Sequence, residues 1–260
     1  MFRRFRHRSY QLEHIDIGDY TAEEYEGALV ELQRVNNWLG DARALEHSLL
    51  ADVKQTGLRS FSVVDAGAGS GELMRVTASW SRQNGIRATL VGIELNARSA
   101  EAILEDSVDF PEINSVRGDA LQLPFADGAV DYAICSLFTH HFVDEDVIRV
   151  LKELGRVAQR RIFVIDLFRH PIAYYLYTTL GRLILHTRLL RQDGALSILR
   201  SFKPSELIDL AERAGLEDVS VTRRFPFRLV LSAKGKGLDA ASPGAIEEPL
   251  IEDRRIRLAS

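Results

Sequence analysis

The stretch Val63-Val64-Asp65-Ala66-Gly67-Ala68-Gly69-Ser70-Gly71 constrains this chain more than any other. Two β-branched residues run into an acid, three glycines come next at alternate positions, and an amphipathic segment begins at Glu72. That order reads as strand, tight loop and helix. Glycines lack Cβ, so such a loop can take positive φ and let a ligand approach the backbone. The helix start behind it presents free N–H groups and the positive end of a dipole. The stretch therefore reads as a site for a nucleotide-type cofactor.

Beyond the loop the chain has a regular rhythm. Strands are expected at Phe61–Asp65, Ala88–Glu94, Ile113–Arg117, Ala129–Ser136 and Arg161–Leu167, and helices at Glu72 to about Gly85, Ala97 to about Ser107 and Asp144 to Val157. The last of these strands is almost wholly apolar, as a strand buried on both faces must be. Strands alternating with helices make βαβ units and a mainly parallel sheet. After Pro171 the pattern changes to a helical insertion reaching Leu190 and rich in Tyr, Leu and Ile. A further helix opens at Pro204, and then come two strands, Val219–Arg223 and Phe227–Ala233, split by Pro226. So short a connection excludes a parallel crossover and requires an antiparallel hairpin.

Ahead of the first strand lie two expected helices. Thr21 and Glu24 have the spacing of a capping box, opening a helix to about Gly40 with Leu29, Leu32, Val35 and Leu39 on one stripe. A second runs from Ala42 to about Thr56 with Leu45, Leu49 and Leu50. Both are expected to cover the sheet, with walling of a substrate pocket as the functional alternative. The fold class is thus α/β: a Rossmann-like, mainly parallel seven-stranded sheet with a terminal antiparallel hairpin, two N-terminal helices and a helical insertion after strand 5. The chain divides into an N-terminal helical extension (1–58), a main domain (59–234, with 171–200 as a helical substrate cover) and a tail (235–260) whose Gly, Pro and Ser suggest mobility.

Composition narrows the function. Of 260 residues 46% are hydrophobic, and the net charge is −4, so no basic field is available for nucleic acid. The single cysteine, Cys135, excludes an intrachain disulfide and favours a reducing, cytoplasmic setting; it reads as a small core residue. No stretch reads as a transmembrane helix, since the best candidate, Ile172 to Leu190, contains Arg182, His186 and Arg188. The start, Met1-Phe2-Arg3-Arg4-Phe5-Arg6-His7-Arg8, reads as a solvated tail, with contact to an anionic membrane surface as the alternative.

The glycine spacing separates two cofactor classes. A dinucleotide fingerprint starting at Gly67 needs glycine at position 72, where this chain has Glu72. A pyrophosphate is repelled by Asp65 and Glu72, whereas a cationic ligand is not. With the acid ahead of the loop, the segment Val64 to Gly71 resembles the first motif of class I S-adenosylmethionine-dependent methyltransferases. Later landmarks agree over residues 60–234. Glu94 is similar to the acid that binds the ribose diol, Gly118-Asp119-Ala120 to the segment whose acid reaches the adenine amino group, and Asp131-Tyr132-Ala133-Ile134-Cys135-Ser136 to the fourth strand. The resemblance implies S-adenosyl-L-methionine as cofactor, held by Asp65, Ala66, Gly67, Gly69, Gly71, Glu94, Leu95, Gly118, Asp119, Ala120, Ser136 and Leu137. One carboxylate can accept both ribose hydroxyls, and ligands of open α/β sheets sit at the carboxyl ends of the strands, where Asp65, Glu94, Asp119 and Ser136 fall. Singly, each acid reads as well as a helix cap.

Leu137-Phe138-Thr139-His140-His141-Phe142 resembles the His-containing segment of small-molecule methyltransferases. An oxygen acceptor needs a base within reach, and His140, His141 and His170 are the candidates; packing beside the cofactor is the alternative for the first two. Arg169 is a candidate partner for an anionic group. No metal ligand set is expected. The insertion sits where the family places its substrate cover, and its apolar and tyrosine content suggests an aromatic or lipid-like acceptor, completion of the core being the alternative. The paired N-terminal helices, the run Asp166 to Pro171 and Arg223-Arg224-Phe225-Pro226-Phe227-Arg228 are similar to methyltransferases that accompany bacterial polyketide synthases and modify phenolic products in secondary metabolism. The competing readings are a nucleic-acid methyltransferase, argued against by net charge and by the absence of proline near Cys135; an NAD(P)-binding reductase, argued against by Glu72 and the hairpin; and a catalytically silent cofactor-binding partner subunit. Neither the acceptor atom nor the oligomeric state is legible.

Overall fold

A computed structural model describes residues 3–21, 23–24, 27–28, 31 and 40–237. Seven strands form one sheet: β1 (Ser60–Ala66), β2 (Arg87–Glu94), β3 (Ile113–Arg117), β4 (Val130–Ser136), β5 (Ala158–Leu167), β6 (Glu217–Arg224) and β7 (Arg228–Lys234). Their order is β3-β2-β1-β4-β5-β7-β6. All neighbours are parallel except at β7, which runs antiparallel to both β5 and β6. Strand order reverses between β1 and β4, where Asp65 stands opposite Ile134, and this switch point opens the crevice into which ligands of such sheets bind.

Alternation along the strands builds two cores. Val64, Ala66, Ala133, Cys135 and Val164 pack with Val147, Val150, Leu151 and Leu154 of the helix Asp144–Val157 and with Leu207, Leu210 and Ala211 of the helix Pro204–Arg213. On the other face Val63, Tyr132, Ile134 and Phe163 meet Leu45, Leu49, Leu50 and Val53. These last residues belong to one run of helix, Asp41–Leu45, a π-helical turn Glu46–Leu50, and Ala51–Thr56, which covers the sheet as expected. The buried Arg228–Asp41 ion pair fixes the start of that run to β7.

The sequence reading departs from the structure in four places. The strand expected at Arg161–Leu167 starts at Ala158, because Gly235 and Gly237 donate backbone hydrogen bonds to Arg160 and Ala158 and extend the edge. For the same reason residues 235–237, expected to be mobile, are docked; Lys236 donates to the Gly155 carbonyl at 2.7 Å. The helical insertion expected from Pro171 to Leu190 is two helices, Pro171–Ile184 and Arg188–Arg200, the second running past Leu190 and capped by the Thr187 hydroxyl, which accepts from the Leu190 N–H at 3.4 Å. The fourth departure concerns the basic start, which is not a solvated tail: Phe5 and Arg8 are buried. The Thr21–Glu24 capping box is formed, with Glu24 N to Thr21 Oγ1 at 3.2 Å and Thr21 N to Glu24 Oε2 at 3.0 Å. Leu29, Leu32, Val35 and Leu39, and the tail beyond 237, lie outside the described residues.

Candidate active site

The glycine loop has the conformation its composition requires. Gly67, Gly69 and Gly71 have φ of 71°, 59° and 78°, all left-handed. A Cβ on Gly67 would lie 2.5 Å from the Phe138 ring, whereas one on Gly69 would meet nothing within 4 Å. The loop is therefore closed on one side by Phe138 and open at Gly69. The Gly67 and Ala68 N–H groups donate to the Ile93 carbonyl, which holds the loop over β2. Gly71 caps the helix Glu72–Gln83.

Two carboxylates sit beneath this loop. Asp65 is buried at the end of β1 and its Oδ1 has no hydrogen-bond partner. Burial, and then the nearby Glu94 charge, push its carboxyl up to about 7. Glu94 ends β2 and accepts a hydrogen bond from the Gly69 N–H at 2.5 Å; burial raises it, against that bond. A buried, unpartnered acid costs stability unless a cation or donor satisfies it. An orphaned oxygen beside an open glycine cradle suits a ligand that carries an ammonium group and hydroxyl donors. The donor set thus fits the expected cofactor and rejects a pyrophosphate.

The remaining expected cofactor residues line the same crevice end with different exposure. Leu95 is exposed, Gly118 lies behind Ile93, and Ala120 is buried. Asp119 is exposed, and its Oδ1 accepts from the Leu121 N–H at 2.8 Å, a local turn that leaves Oδ2 available. Ser136 ends β4, and Leu137, with φ of 50°, starts the turn that carries the histidines.

The histidines are held by carboxylates that the sequence reading had not assigned. Asp166 Oδ1 pairs with His140 Nδ1 at 2.7 Å, while Oδ2 accepts from the Thr139 hydroxyl at 2.5 Å and the His140 N–H at 3.1 Å. Burial opposes ionisation of Asp166, but the His140 charge and these bonds hold it down at about 2. An ionised carboxylate only accepts, so His140 Nδ1 donates, and in the neutral ring the lone pair is on Nε2. His141 Nδ1 contacts Asp16 Oδ1 at 3.0 Å. One ligand-capable atom each of Glu13, His140 and His141 lie within 4.8 Å of one another. Burial pushes Glu13 up to about 7, opposed by His141, by the Ser197 hydroxyl and by Arg200, whose Nε is 3.7 Å away. His170 has another role. It caps the helix Pro171–Ile184, its Nδ1 accepting from the Ile172 N–H at 3.2 Å, and it stacks on Phe227. In this arrangement its Nδ1 is engaged by the helix end. Arg169 is likewise committed. It is buried and bonds the Ser201 and Phe5 carbonyls, and the anionic group it pairs with is the Glu206 carboxylate of the chain itself.

Residues 5–16 form a strap across this side of the molecule. Arg8 donates to the Phe142 carbonyl at 2.9 Å, the Arg200 carbonyl at 2.7 Å and the His140 carbonyl at 3.5 Å, and pairs with Asp144. Arg200 donates to the His140 carbonyl at 3.1 Å, the His141 carbonyl, and Asp16 at 3.0 Å. Two buried arginines thus clamp the histidine turn from outside. Asp166 had one legible signal, an acid near the end of an almost wholly apolar strand; the contacts of Arg8, Glu13 and Arg200 with the histidine turn and Ser197 had none, since each spans more than 50 residues.

A Rossmann-like sheet with an acid-flanked glycine cradle at its switch point defines a class of nucleoside-cofactor enzymes. Residues 64–164 match the family model described as "Methyltransferase domain". Solved structures share the fold. A SAM-dependent methyltransferase from Aquifex aeolicus aligns over 78% of this chain and 97% of its own, with a TM-score of 0.54 and 17% identity. Human N-acetylserotonin methyltransferase in complex with SAM covers 87% and 63%, with a TM-score of 0.60 and 16% identity. The citrinin polyketide synthase CMeT domain covers 67% and 46%, with a TM-score of 0.52 and 9% identity. At these identities the likeness is one of fold. No curated protein sequence matches the chain.

Proposed function

We propose that this protein transfers a methyl group from S-adenosyl-L-methionine to a small aromatic or lipid-like acceptor. The observation that carries the reading is the orphaned Asp65 carboxylate beside the open Gly69 cradle, within the matched methyltransferase domain. In this reading Asp65 and the Gly67–Gly71 loop hold the amino-acid part, Glu94 with Leu95 takes the ribose hydroxyls, Asp119 with Gly118 and Ala120 takes the adenine, and Ser136 and Leu137 close the crevice. When bound, the cofactor supplies an electrophilic methyl group on sulfur. The chain's own residues then position the acceptor in line and take up its proton.

His140 is the base we favour. Its Nδ1 is fixed by Asp166, which gives the neutral ring's Nε2 lone pair one orientation, and His141 and Glu13 stand within 4.8 Å, a span that one water bridges to pass the proton outward. Arg200 beside Glu13 already neutralises part of the cluster's charge, which supports proton exchange there over a bound metal ion. The helix Pro171–Ile184 supplies aromatic and aliphatic side chains over this side, and Phe5 seats against Tyr174 and Tyr175. That surface supports an apolar or phenolic acceptor over nucleic acid, as does the net charge of −4. The buried thiol of Cys135 supports a reducing, cytoplasmic setting.

The test is transfer of a labelled methyl group to a panel of phenolic and acyl-chain acceptors, with RNA and protein as controls. Label should enter the small molecules. Label appearing in RNA alone contradicts the acceptor class. His140→Gln is expected to cut turnover roughly 100-fold or more at unchanged cofactor affinity; near-normal turnover leaves catalysis to proximity and orientation.

A further inference from the structure

The two sides of the crevice meet at one side chain. Phe138 lies on the turn between β4 and the histidines, two residues before His140. A Cβ built on Gly67 would stand 2.5, 2.6 and 2.8 Å from three adjacent atoms of its ring. Near-equal distances to neighbouring ring atoms mean that the ring turns its face, not its edge, to the loop. Glycine at position 67 is what lets that face come so near. The orientation is held from three directions. The Leu137 N–H donates to the Ile165 carbonyl at 2.8 Å, the Phe138 carbonyl accepts from the His141 N–H at 3.1 Å, and the Phe142 ring packs against that of Phe138 with centroids 4.9 Å apart and planes at 71°. Phe138 is half-buried rather than sealed into the core.

Charge says what this face can do. A sulfonium donor in the cradle carries its positive charge on the atom from which the methyl leaves, and the methyl leaves toward the acceptor, on the side of His140. The acids of that side are engaged. Asp166 serves His140 and Thr139, Asp16 serves His141 and Arg200, Glu13 accepts from Ser197, and Asp144 pairs with Arg8. Asp65 and Glu94 serve the amino group and the ribose in the reading above. What the histidine turn presents to the loop is an aromatic face, and the negative face of a ring attracts a cation.

We propose, on the methyl-transfer reading above, that Phe138 is a positioning residue that tells the sulfonium cofactor from its demethylated product. Transfer leaves the sulfur a neutral thioether, so the attraction to the ring ends with the reaction and the product is held less tightly than the cofactor. In the transition state the charge is already dispersed toward the acceptor. The ring therefore acts on cofactor binding and product release rather than on the chemical step. Packing against the loop is the competing role, and packing alone treats the charged and neutral ligands alike.

The experiment is calorimetric titration of the full chain with S-adenosylmethionine and, separately, with S-adenosylhomocysteine. It compares the wild type with Phe138→Leu and with Phe138→trifluorophenylalanine, which keeps the ring and withdraws the negative charge from its face. Both variants should lose about tenfold in affinity for S-adenosylmethionine and less than about threefold for S-adenosylhomocysteine. If the leucine variant does not fold, the fluorinated variant decides alone. An equal loss for the two ligands overturns the proposal and leaves Phe138 a packing residue, and unchanged affinity for both overturns it as well. A wild type that binds neither ligand overturns the methyl-transfer reading itself, and the proposal with it.

Discussion

The two halves of the crevice are built in opposite ways. On the cofactor side, the glycine loop, Asp65 and Glu94 sit within 30 residues of one another, and their geometry arises from local backbone: left-handed glycines, a strand end and a helix start. On the acceptor side, the histidine turn is held by Arg8, 132 residues away from His140 in sequence, and by Arg200, 60 residues away. A locally built site can form wherever its strand and helix form. A site clamped at long range exists only in the finished fold. The cofactor half should therefore tolerate changes that unseat the strap, and the acceptor half should not.

Removing Arg8 attacks that difference most strongly. Arg8→Ala strips the His140, Phe142 and Arg200 carbonyls of a buried donor and leaves Asp144 without its ion-pair partner, bonded by the Tyr10 hydroxyl, at an expected cost of about 3 kcal/mol in unfolding free energy. Denaturant unfolding reads the loss, and calorimetry should find S-adenosylhomocysteine affinity within about threefold in the protein that remains folded. A large loss of affinity would mean that the halves are coupled, through Phe138 against Gly67.

Glu94→Ala probes the other side. It removes an acceptor for two charge-assisted bonds and should weaken cofactor binding about 100-fold while barely changing the unfolding midpoint. Unchanged binding would take Glu94 out of the site.

Asp65 gives a pH-dependent effect. Its carboxyl is raised from 3.8 to about 7 in the folded protein by burial first and then Glu94. The folded state thus holds this proton over a range where the unfolded chain has lost it. The group's contribution to stability is fullest below its unfolded pKa and falls as pH rises through about 7. Asp65→Asn cannot titrate, so the ligand-free variant should gain on the wild type as pH rises, by on the order of 4 kcal/mol at neutral pH, while losing cofactor affinity. A stability difference that does not grow with pH would contradict the orphaned state of this acid.

The smallest effect is expected at His170. As a helix cap it should cost about 1 kcal/mol on replacement by Ala and leave turnover within about threefold. Loss of most turnover in His170→Ala would return it to the list of bases.

The same contrast explains what the sequence makes legible. The parallel sheet, its antiparallel close and the strand-end acids beside the glycine loop could be read from Val63–Gly71, from Glu94 closing a strand and from Pro226 between two short strands, because each signal is local. His140 and His141 were found as residue types beside a strand end, but nothing nearby told that Asp166 aligns one ring and Asp16 the other. Arg8 looked like part of a basic tail because burial of an arginine depends on carbonyls supplied from the turn after β4 and the helix Arg188–Arg200. Arg169 and His170 looked available for the same reason: their partners, Ser201, Glu206 and the Ile172 N–H, are set by packing or by cap geometry rather than by composition.

The central claim is that the acid-flanked glycine cradle grips a sulfonium nucleoside. Thermal unfolding of the purified chain with S-adenosylhomocysteine, and separately with NAD, tests it most directly. A ligand present at about 100 times its dissociation constant adds about 2.7 kcal/mol to the folded state, so the nucleoside should raise the midpoint by several degrees in the wild type and by only a small fraction of that in Glu94→Ala. A rise with NAD and none with S-adenosylhomocysteine would contradict the account.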